Sequence, residues 1–162
     1  MHKQFEIKPA ELKDKSIVLS FIKQLAEYEK LALTVTATEE LIEEHLFGKN
    51  AVAECVIGYF ENKPVAFALF FKNFSTFVGK PGLYLEDLFV LPEYRGFGFG
   101  KKMLLYLVKL AKERNYGRFE WTVLNWNTPA KNFYVKIGAE LMEEWQIFRI
   151  TEDKFEKCLE NE

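Results

Sequence analysis

The sequence predicts an α/β (α+β) fold, a mixed, mostly antiparallel sheet flanked by helices on both faces. Three observations carry that prediction. Strand-like and helix-like patterns alternate along the chain, and neighbouring strand candidates are joined by hairpin turns. Residues 83–114 then read as a buried strand, a glycine-rich turn and an amphipathic helix in succession.

Residues 4–8 alternate well enough for a first strand, closed by Pro9. Across 11–30, Ile17, Phe21, Leu25 and Tyr28 recur at helical spacing; Ile22 and Ala26 widen the stripe, and Asp14 or Ser16 is available as a cap. Thr38 opens a second, short helix with Leu41, Ile42, Leu46 and Phe47, and Gly48 ends it. Residues 52–60 and 64–72 are apolar strands joined at Glu61-Asn62-Lys63 as a tight hairpin. Residues 74–82, with their Ser, Gly and Pro, read as a loop. From 83 to 91 both alternating faces are apolar, so this strand is covered on two sides. The following helix carries Met103, Leu104, Leu107, Val108, Leu110 and Ala111 as one stripe.

Residues 118–124 form another strand, with Phe119, Trp121 and Val123 on one face. Thr128 is a good N-cap, with Pro129 at the first helical position. Ala130, Phe133, Tyr134 and Ile137 follow at i, i+3, i+4 and i+7, and Gly138 stops the helix. Short strands at 139–142 and 145–150 are expected to finish the sheet as a hairpin, and Thr151 to cap a last helix carrying Phe155 and Leu159. No linker, repeat or low-complexity segment intervenes, so residues 1–162 are expected to form one domain.

Composition excludes several classes. With 49% hydrophobic and 28% charged residues, the chain is an ordinary globular one, and a net charge of −2 gives no reason to expect nucleic acid or an anionic membrane as partner. No apolar run approaches the ~20 residues that span a bilayer, and Met1-His2-Lys3 does not begin a signal peptide. Cys55 and Cys158 lack ligand spacing, a usage that fits a reducing cytoplasm. His2 and His45 stand far apart in sequence, without the company of a zinc site or a Ser-His-Asp triad, so no metal is expected.

Glu86 and Asp87 interrupt the apolar run of the central strand, and carboxylates are seldom buried without a partner or a task. The turn beyond it is Arg95-Gly96-Phe97-Gly98-Phe99-Gly100, whose glycines let backbone approach a bulky group and expose N–H donors. A helix N-terminus behind such a turn is a phosphate site by its free N–H groups. Lys101 and Lys102 lie in the first turn, where the macrodipole disfavours cations unless an anion is bound. The alternative is two solvated lysines. The turn lacks the Gly-Lys-Ser/Thr of a P-loop and the spacing of the dinucleotide fingerprint.

Arg95-x-x-Gly98-x-Gly100, after a strand and opening a helix, resembles the acetyl-CoA pyrophosphate loop of the GCN5-related N-acetyltransferases (GNAT). LYLEDLFV, PEYRGFGFG, LNWNTPAKNFYVKIGA and the earlier IKQLAEYEKL extend the likeness, which is to the spermidine/spermine (diamine) and thialysine acetyltransferase branch. The resemblance implies a sheet with two splayed parallel central strands, residues 83–91 and 118–124, and acetyl-CoA between them. It implies a homodimer as well. It places the cofactor against Arg95, Gly96, Phe97, Gly98, Phe99, Gly100 and Lys101, along the backbone of Leu88, Phe89 and Val90, and beside Asn127, Ala130 and Tyr134. It also sets Glu29, next to Tyr28, among the acidic contacts of the amine.

Acetyl transfer requires an amine stripped of its proton, donors for the growing oxyanion, and an acid for the leaving thiolate. Glu86, or its neighbour Asp87, is the available base, in a strand where desolvation raises a carboxylate's proton affinity. Tyr134 is the expected acid toward the CoA sulfur, and backbone N–H groups at 88–90 the expected oxyanion donors. Glu86, Asp87, Glu29 and Glu144 together suit a small cationic amine. Ala32 and Leu33 stand where polyamine-acetylating relatives are more acidic, a departure that counts against spermidine and leaves lysine-like acceptors or short diamines open. The expected reaction is direct attack in a ternary complex. The alternatives are a protein or peptide N-acetyltransferase and a silent CoA-binding module.

Overall fold

The computed structural model describes residues 4–160, so His2 and the Met1-His2-Lys3 start lie outside it. The chain divides into two compact units, one ending at Thr122 and one beginning at Val123.

The first unit is a five-stranded sheet whose spatial order is the chain order. Its strands are β1 (Phe5–Pro9), β2 (Glu54–Phe60), β3 (Lys63–Ser75), β4 (Lys80–Val90) and β5 (Phe119–Trp121). The first four pair antiparallel, and β4 pairs β5 in parallel. Short turns explain the antiparallel part. Glu61 and Asn62 both take positive φ (51° and 63°) and close a two-residue hairpin that pairs Phe60 with Lys63. Between β3 and β4 the expected loop at 74–82 is mostly strand. Only residues 76–79 turn, held by the Val78 N–H on the Ser75 hydroxyl at 3.3 Å and the Gly79 N–H on the Ser75 carbonyl at 2.8 Å. Pro9 is also a strand residue, opposite Val56 on an edge strand that tolerates its missing N–H.

Helices cover both faces. A capping box, with the Glu11 N–H donating to Asp14 Oδ2 at 2.8 Å, leads into α1 (Lys15–Tyr28). Val18, Leu19 and Phe21 of α1 pack with Cys55, Ile57, Phe67 and Phe89 of the sheet and with Ile42 of α2 (Glu39–Ile42). The Thr38 hydroxyl caps α2 on the Leu41 N–H at 3.3 Å, and a π-turn at Glu43–Phe47 carries the chain to Gly48. On the other face lies α3 (Phe99–Glu113), which buries Phe99, Met103, Leu104, Leu107 and Ala111. Val108, expected in that stripe, is exposed. Each large side chain so buried contributes about 1.5–3 kcal/mol, and α3 is the crossover that makes β5 parallel to β4.

The second unit holds α4 (Thr128–Lys136) and α5 (Phe155–Leu159). Asn127, not Thr128, is the N-cap of α4, its Oδ1 accepting the Ala130 N–H at 3.3 Å. Thr151 stands at the start of the closing turn without a side-chain cap bond. The hairpin expected across 139–150 is not formed. A strand requires a partner for its backbone groups, and here the Trp145 N–H donates only locally, to Met142 at 3.3 Å. Leu141, Met142, Trp145, Ile147, Phe148 and Ile150 are accordingly exposed.

Candidate active site

The two strand carboxylates owe their position to a bulge. Phe70 opposes Leu85 and Leu69 opposes Asp87, so Glu86 has no partner across β3. The register before the bulge places Leu83 and Leu85 on the α3 face; after it, Leu88 and Val90 take that face, opposite Ala68 and Ala66. Asp87 therefore shares the α1 face with Phe89, and alternation from Leu85 puts Glu86 there too. Without the extra residue, Asp87 would point into the apolar layer under α3. The β4–β5 pairing also stops at Leu85 and Trp121, immediately before the bulge, which is why β5 is three residues long where seven were expected.

Past that point, among the described residues, β4 has no strand paired on its β5 side. The Leu91 N–H donates to the Val65 carbonyl at 2.9 Å, so strand alternation turns the backbone groups of Leu88 and Val90 toward that side and those of Phe89 toward β3. Of the three expected backbone contacts, Leu88 and Val90 are thus the pair turned away from β3, with the Val90 carbonyl already accepting from Arg95 Nε at 3.0 Å.

Glu29 caps the C-terminal end of α1. Its charge acts on Asp87, as does that of Glu86. Asp87 keeps part of its surface exposed, yet protein encloses it on most sides. Burial first, then the two neighbouring carboxylates, push its carboxyl up to about 7. Burial alone raises that of Glu29. Among the described residues none of the three is ion-paired. A compact group of unpaired acids attracts a cation and, near neutral pH, takes up a proton.

Arg95-Gly96-Phe97-Gly98 leads from a Pro92–Tyr94 turn into α3. Gly96 and Gly98 have φ of +83° and +78°, Gly98 being the left-handed N-cap. Neither would meet an atom within 4 Å with a Cβ added, so the space over the loop is open. A Cβ on Gly100 would contact Val90 and Leu88. The first-turn N–H groups of Phe99, Gly100 and Lys101 face that space without a capping side chain, an arrangement suited to a phosphate. Phe97 stacks on Phe99 at 5.7 Å and Phe99 on Phe5 at 4.2 Å, while Lys102 Nζ lies 5.7 Å from the Phe5 ring. Lys102 is thereby directed to aromatic rings.

The Arg95 side chain does something the sequence did not announce. Its Nε donates to the Val90 carbonyl at 3.0 Å, and its guanidinium lies 4.5 Å from the Tyr28 ring centre and 5.3 Å from that of Phe89. In the second unit, Ala130 and Tyr134 share the half-buried stripe of α4, with Phe133 and Tyr134 rings 5.4 Å apart. Glu144 is exposed in an irregular segment. Cys55 is buried, its thiol pushed up to about 12 by burial and then by the Asp14 and Asp87 charges. Among the described residues no group of three His, Cys, Asp or Glu is placed to hold a metal, and no helix is long and apolar enough to cross a membrane.

Residues 21–139 match the sequence profile of the acetyltransferase (GNAT) family. The chain belongs to the GNAT acetyltransferase family. This GNAT chain is 34% identical over 154 residues to a thialysine N-epsilon-acetyltransferase of Sus scrofa, covering 88% of this chain and 90% of the relative. It is 45% identical over 87 residues to an L-ornithine N5-acetyltransferase of Arabidopsis thaliana, a match of 54% of this chain and 38% of the relative. A spermidine/spermine N(1)-acetyltransferase-like protein of Homo sapiens is 33% identical over 162 residues, 93% of this chain and 23% of its own length. Among solved structures, an integron cassette protein from the mobile metagenome of V. cholerae superimposes with a TM-score of 0.79 at 26% identity, over 96% of this chain and 97% of the other. A ribosomal-protein-alanine N-acetyltransferase of Brucella melitensis shares the fold, with a TM-score of 0.71 at 18% identity, over 91% and 99%. The expected fold is therefore the observed one, and the chain is an acyltransferase.

Sequence reasoning on this GNAT chain missed the bulge and the side-chain anchorage of Arg95. The bulge had a readable signal, because the small and branched apolar residues change parity from Leu83 and Leu85 to Leu88 and Val90. Arg95 had none.

Proposed function

We propose that the chain transfers the acetyl group of acetyl-CoA to a primary amine of a small cationic molecule, of the lysine or ornithine side-chain type, with short diamines as second choice. The observation that carries this is the group of three unpaired carboxylates, Glu29, Glu86 and Asp87, one of them half-protonated near neutral pH. The thialysine and ornithine enzymes among the relatives act on molecules of this kind. The cofactor loop and the homodimer rest on the resemblance, the expectation of no metal on the spacing of the histidines and cysteines, and the cytoplasmic setting on cysteine usage.

In this reading the acetyl-CoA pyrophosphate settles on the N–H groups of residues 98–101, and its acyl arm pairs with the β5 side of β4 at Leu88 and Val90. The Val90 N–H, or that of Leu88, then meets the oxygen that becomes negative. The substrate ammonium lies against the carboxylates and gives up a proton to the Glu86–Asp87 pair. Asp87 is the enclosed member of that pair and Glu86 the exposed one. The amine lone pair attacks the thioester carbon, the C–N bond forms and the C–S bond breaks. The departing thiolate takes a proton, for which Tyr134 is the proposed donor. A covalent acetyl-enzyme is disfavoured at Cys55, whose thiol is buried and held protonated.

The test is release of CoA thiol from acetyl-CoA with thialysine, lysine, ornithine, 1,3-diaminopropane, spermidine and a lysine peptide. Turnover of the amino-acid amines ahead of the others is expected. Acetyl-CoA binding with no turnover on any amine would sink the reading in favour of a silent module.

A further inference from the structure

We propose that Arg118 and Glu120, with the ring pair Phe71 and Tyr84, form the subsite for the far end of the acceptor. The end it takes is the head of an α-amino acid, with the α-carboxylate on Arg118 and the α-ammonium on Glu120. The proposal rests on the amine-subsite reading above and deepens it.

The sheet register gathers this group. Tyr84 opposes Phe71 in β3 and Glu120 in β5, and Gly82 opposes Asn73. Alternation from Leu85, on the α3 face, puts Tyr84 and Gly82 on the α1 face, which is also the face of Glu86. There α1 packs over Phe67 and Phe89. Phe71, Tyr84 and Glu120 lie further along the same face and stay half-buried. The Phe71 and Tyr84 rings stack at 5.0 Å and make an apolar floor between Glu86 and the charged pair. Arg118 joins this face through Gly82. A Cβ on Gly82 would strike the Asn73 side-chain oxygen and lie 3.0 Å from Arg118 Cγ.

The two charges are held but not used up. Glu120 Oε2 accepts from Asn73 Nδ2 at 3.2 Å and lies 2.7 Å from Arg118 Nε, whose N–H lacks hydrogen-bond geometry toward it. Glu120 Oε1 has no partner among the described residues. Arg118 Nη2 reaches the Phe74 carbonyl only at 3.4 Å, and Nη1 makes no bond among the described residues. A pair that served the sheet alone would close these donors and acceptors on each other. Here a guanidinium and a carboxylate oxygen remain side by side, the complement of a carboxylate and an ammonium carried on one carbon.

The spacing fits. Glu120 stands two residues along and one strand across from Glu86, about 8 Å by strand geometry. An extended lysine spans about 6 Å from Nε to Cα, and its head groups reach beyond that. With Nε at Glu86 and Asp87, the methylenes cross the two rings and the head meets the pair. A diamine of the same length presents only a second ammonium, which the Arg118 charge repels. Arg118 therefore selects the amino acid.

The test compares lysine with 1,5-diaminopentane, which is lysine without its carboxylate, on the full chain at saturating acetyl-CoA. Arg118→Gln, with melting curves to confirm folding, is expected to raise the lysine KM about tenfold and to lower that of 1,5-diaminopentane. Changes of opposite sign are not what a merely structural role produces. Glu120→Gln is expected to raise both KM values, since each molecule brings an ammonium. Lysine methyl ester probes the same contact in the unaltered chain, and its KM is expected about tenfold above that of lysine. Equal KM changes for the two amines in Arg118→Gln, or an ester KM equal to that of lysine, overturns the proposal. If the wild-type chain acetylates both amines and Arg118→Gln leaves their KM ratio unaltered, the far subsite alone is wrong. If it acetylates neither, the acetyltransferase reading falls and the subsite falls with it.

Discussion

Glu86 and Asp87 are consecutive in a strand, yet both leave it on the same face, because Glu86 has no partner across β3. Consecutive strand residues ordinarily point to opposite faces. The bulge converts an inert sequence pair into a local concentration of negative charge, which Glu29 enlarges from the end of α1. Carboxylates gathered in this way cannot all ionise easily, and the enclosed one yields.

The pH dependence of turnover follows. The base form of Asp87 develops as pH rises through about 7, so kcat/KM for thialysine is expected to climb through that range. Asp87→Asn should lower kcat/KM by roughly 100-fold or more and abolish this limb. Glu86→Gln should keep the limb and shift it downward, since a like charge is removed. Retention of the limb near 7 in Asp87→Asn would assign it to another group.

Stability should respond in the opposite sense. Folded Asp87 holds its proton up to about pH 7, against 3.8 for the ordinary carboxyl. Between those values the folded chain binds more protons than the unfolded one, so stability falls as pH rises; above 7 the loss is complete. Asp87→Asn removes the buried charge. Allowing for partial exposure, the gain over wild type is on the order of 2 kcal/mol at pH 8, or ~5 °C in Tm, shrinking to nothing below pH 4. Melting curves at pH 4, 6 and 8 check it, and a pH-independent difference would contradict it.

Gly98 offers a prediction with an internal control. A Cβ there meets no atom, so Gly98→Ala costs about 1–2 kcal/mol through its positive φ and nothing through a clash. If the open space is where the pyrophosphate lies, the acetyl-CoA KM rises about tenfold besides. Gly79, in the β3–β4 turn, has a φ of +68° and equally open surroundings. Gly79→Ala should cost similar stability and leave the acetyl-CoA KM unchanged. Equal acetyl-CoA KM values in the two variants would remove the loop from cofactor binding.

The parts that could be read in advance were those in which local chemistry and tertiary structure agree. The strand–turn–helix of residues 83–113 was legible from apolar spacing and glycine placement, and so was the hairpin expected at Glu61-Asn62-Lys63, of which Lys63 proved to be the first residue of β3. Thr38 is a cap because its hydroxyl reaches the Leu41 N–H, a three-residue relationship visible in any sequence. Asn127 displaced Thr128 as the cap of α4 because both are good caps, and one residue of frame decides between them. The strands expected at 139–150 failed for a different reason. Residues such as Trp145, Ile147 and Phe148 have strong strand propensity, but propensity supplies no partner. Within the site, Glu29 near Asp87 and Arg95 over Tyr28 are long-range pairings. Residue types at 29 and 95 carry no trace of them.

Tyr134 provides the last prediction. Its ring lies half-buried on the α4 stripe with Ala130, Phe133 and Ile137, so the side chain has a packing role that phenylalanine preserves. The hydroxyl is the part that chemistry needs. Tyr134→Phe should fold with a Tm within about 2 °C of wild type. CoA binding by calorimetry should be retained, while kcat falls about 10- to 100-fold because the thiolate leaves without its proton donor. A thioester with a more acidic leaving thiol depends less on that proton and should recover part of the loss. Should kcat be unchanged, Tyr134 is a packing residue only and the leaving group takes its proton from water. A loss of CoA affinity matching the loss of rate would instead make the hydroxyl a binding contact.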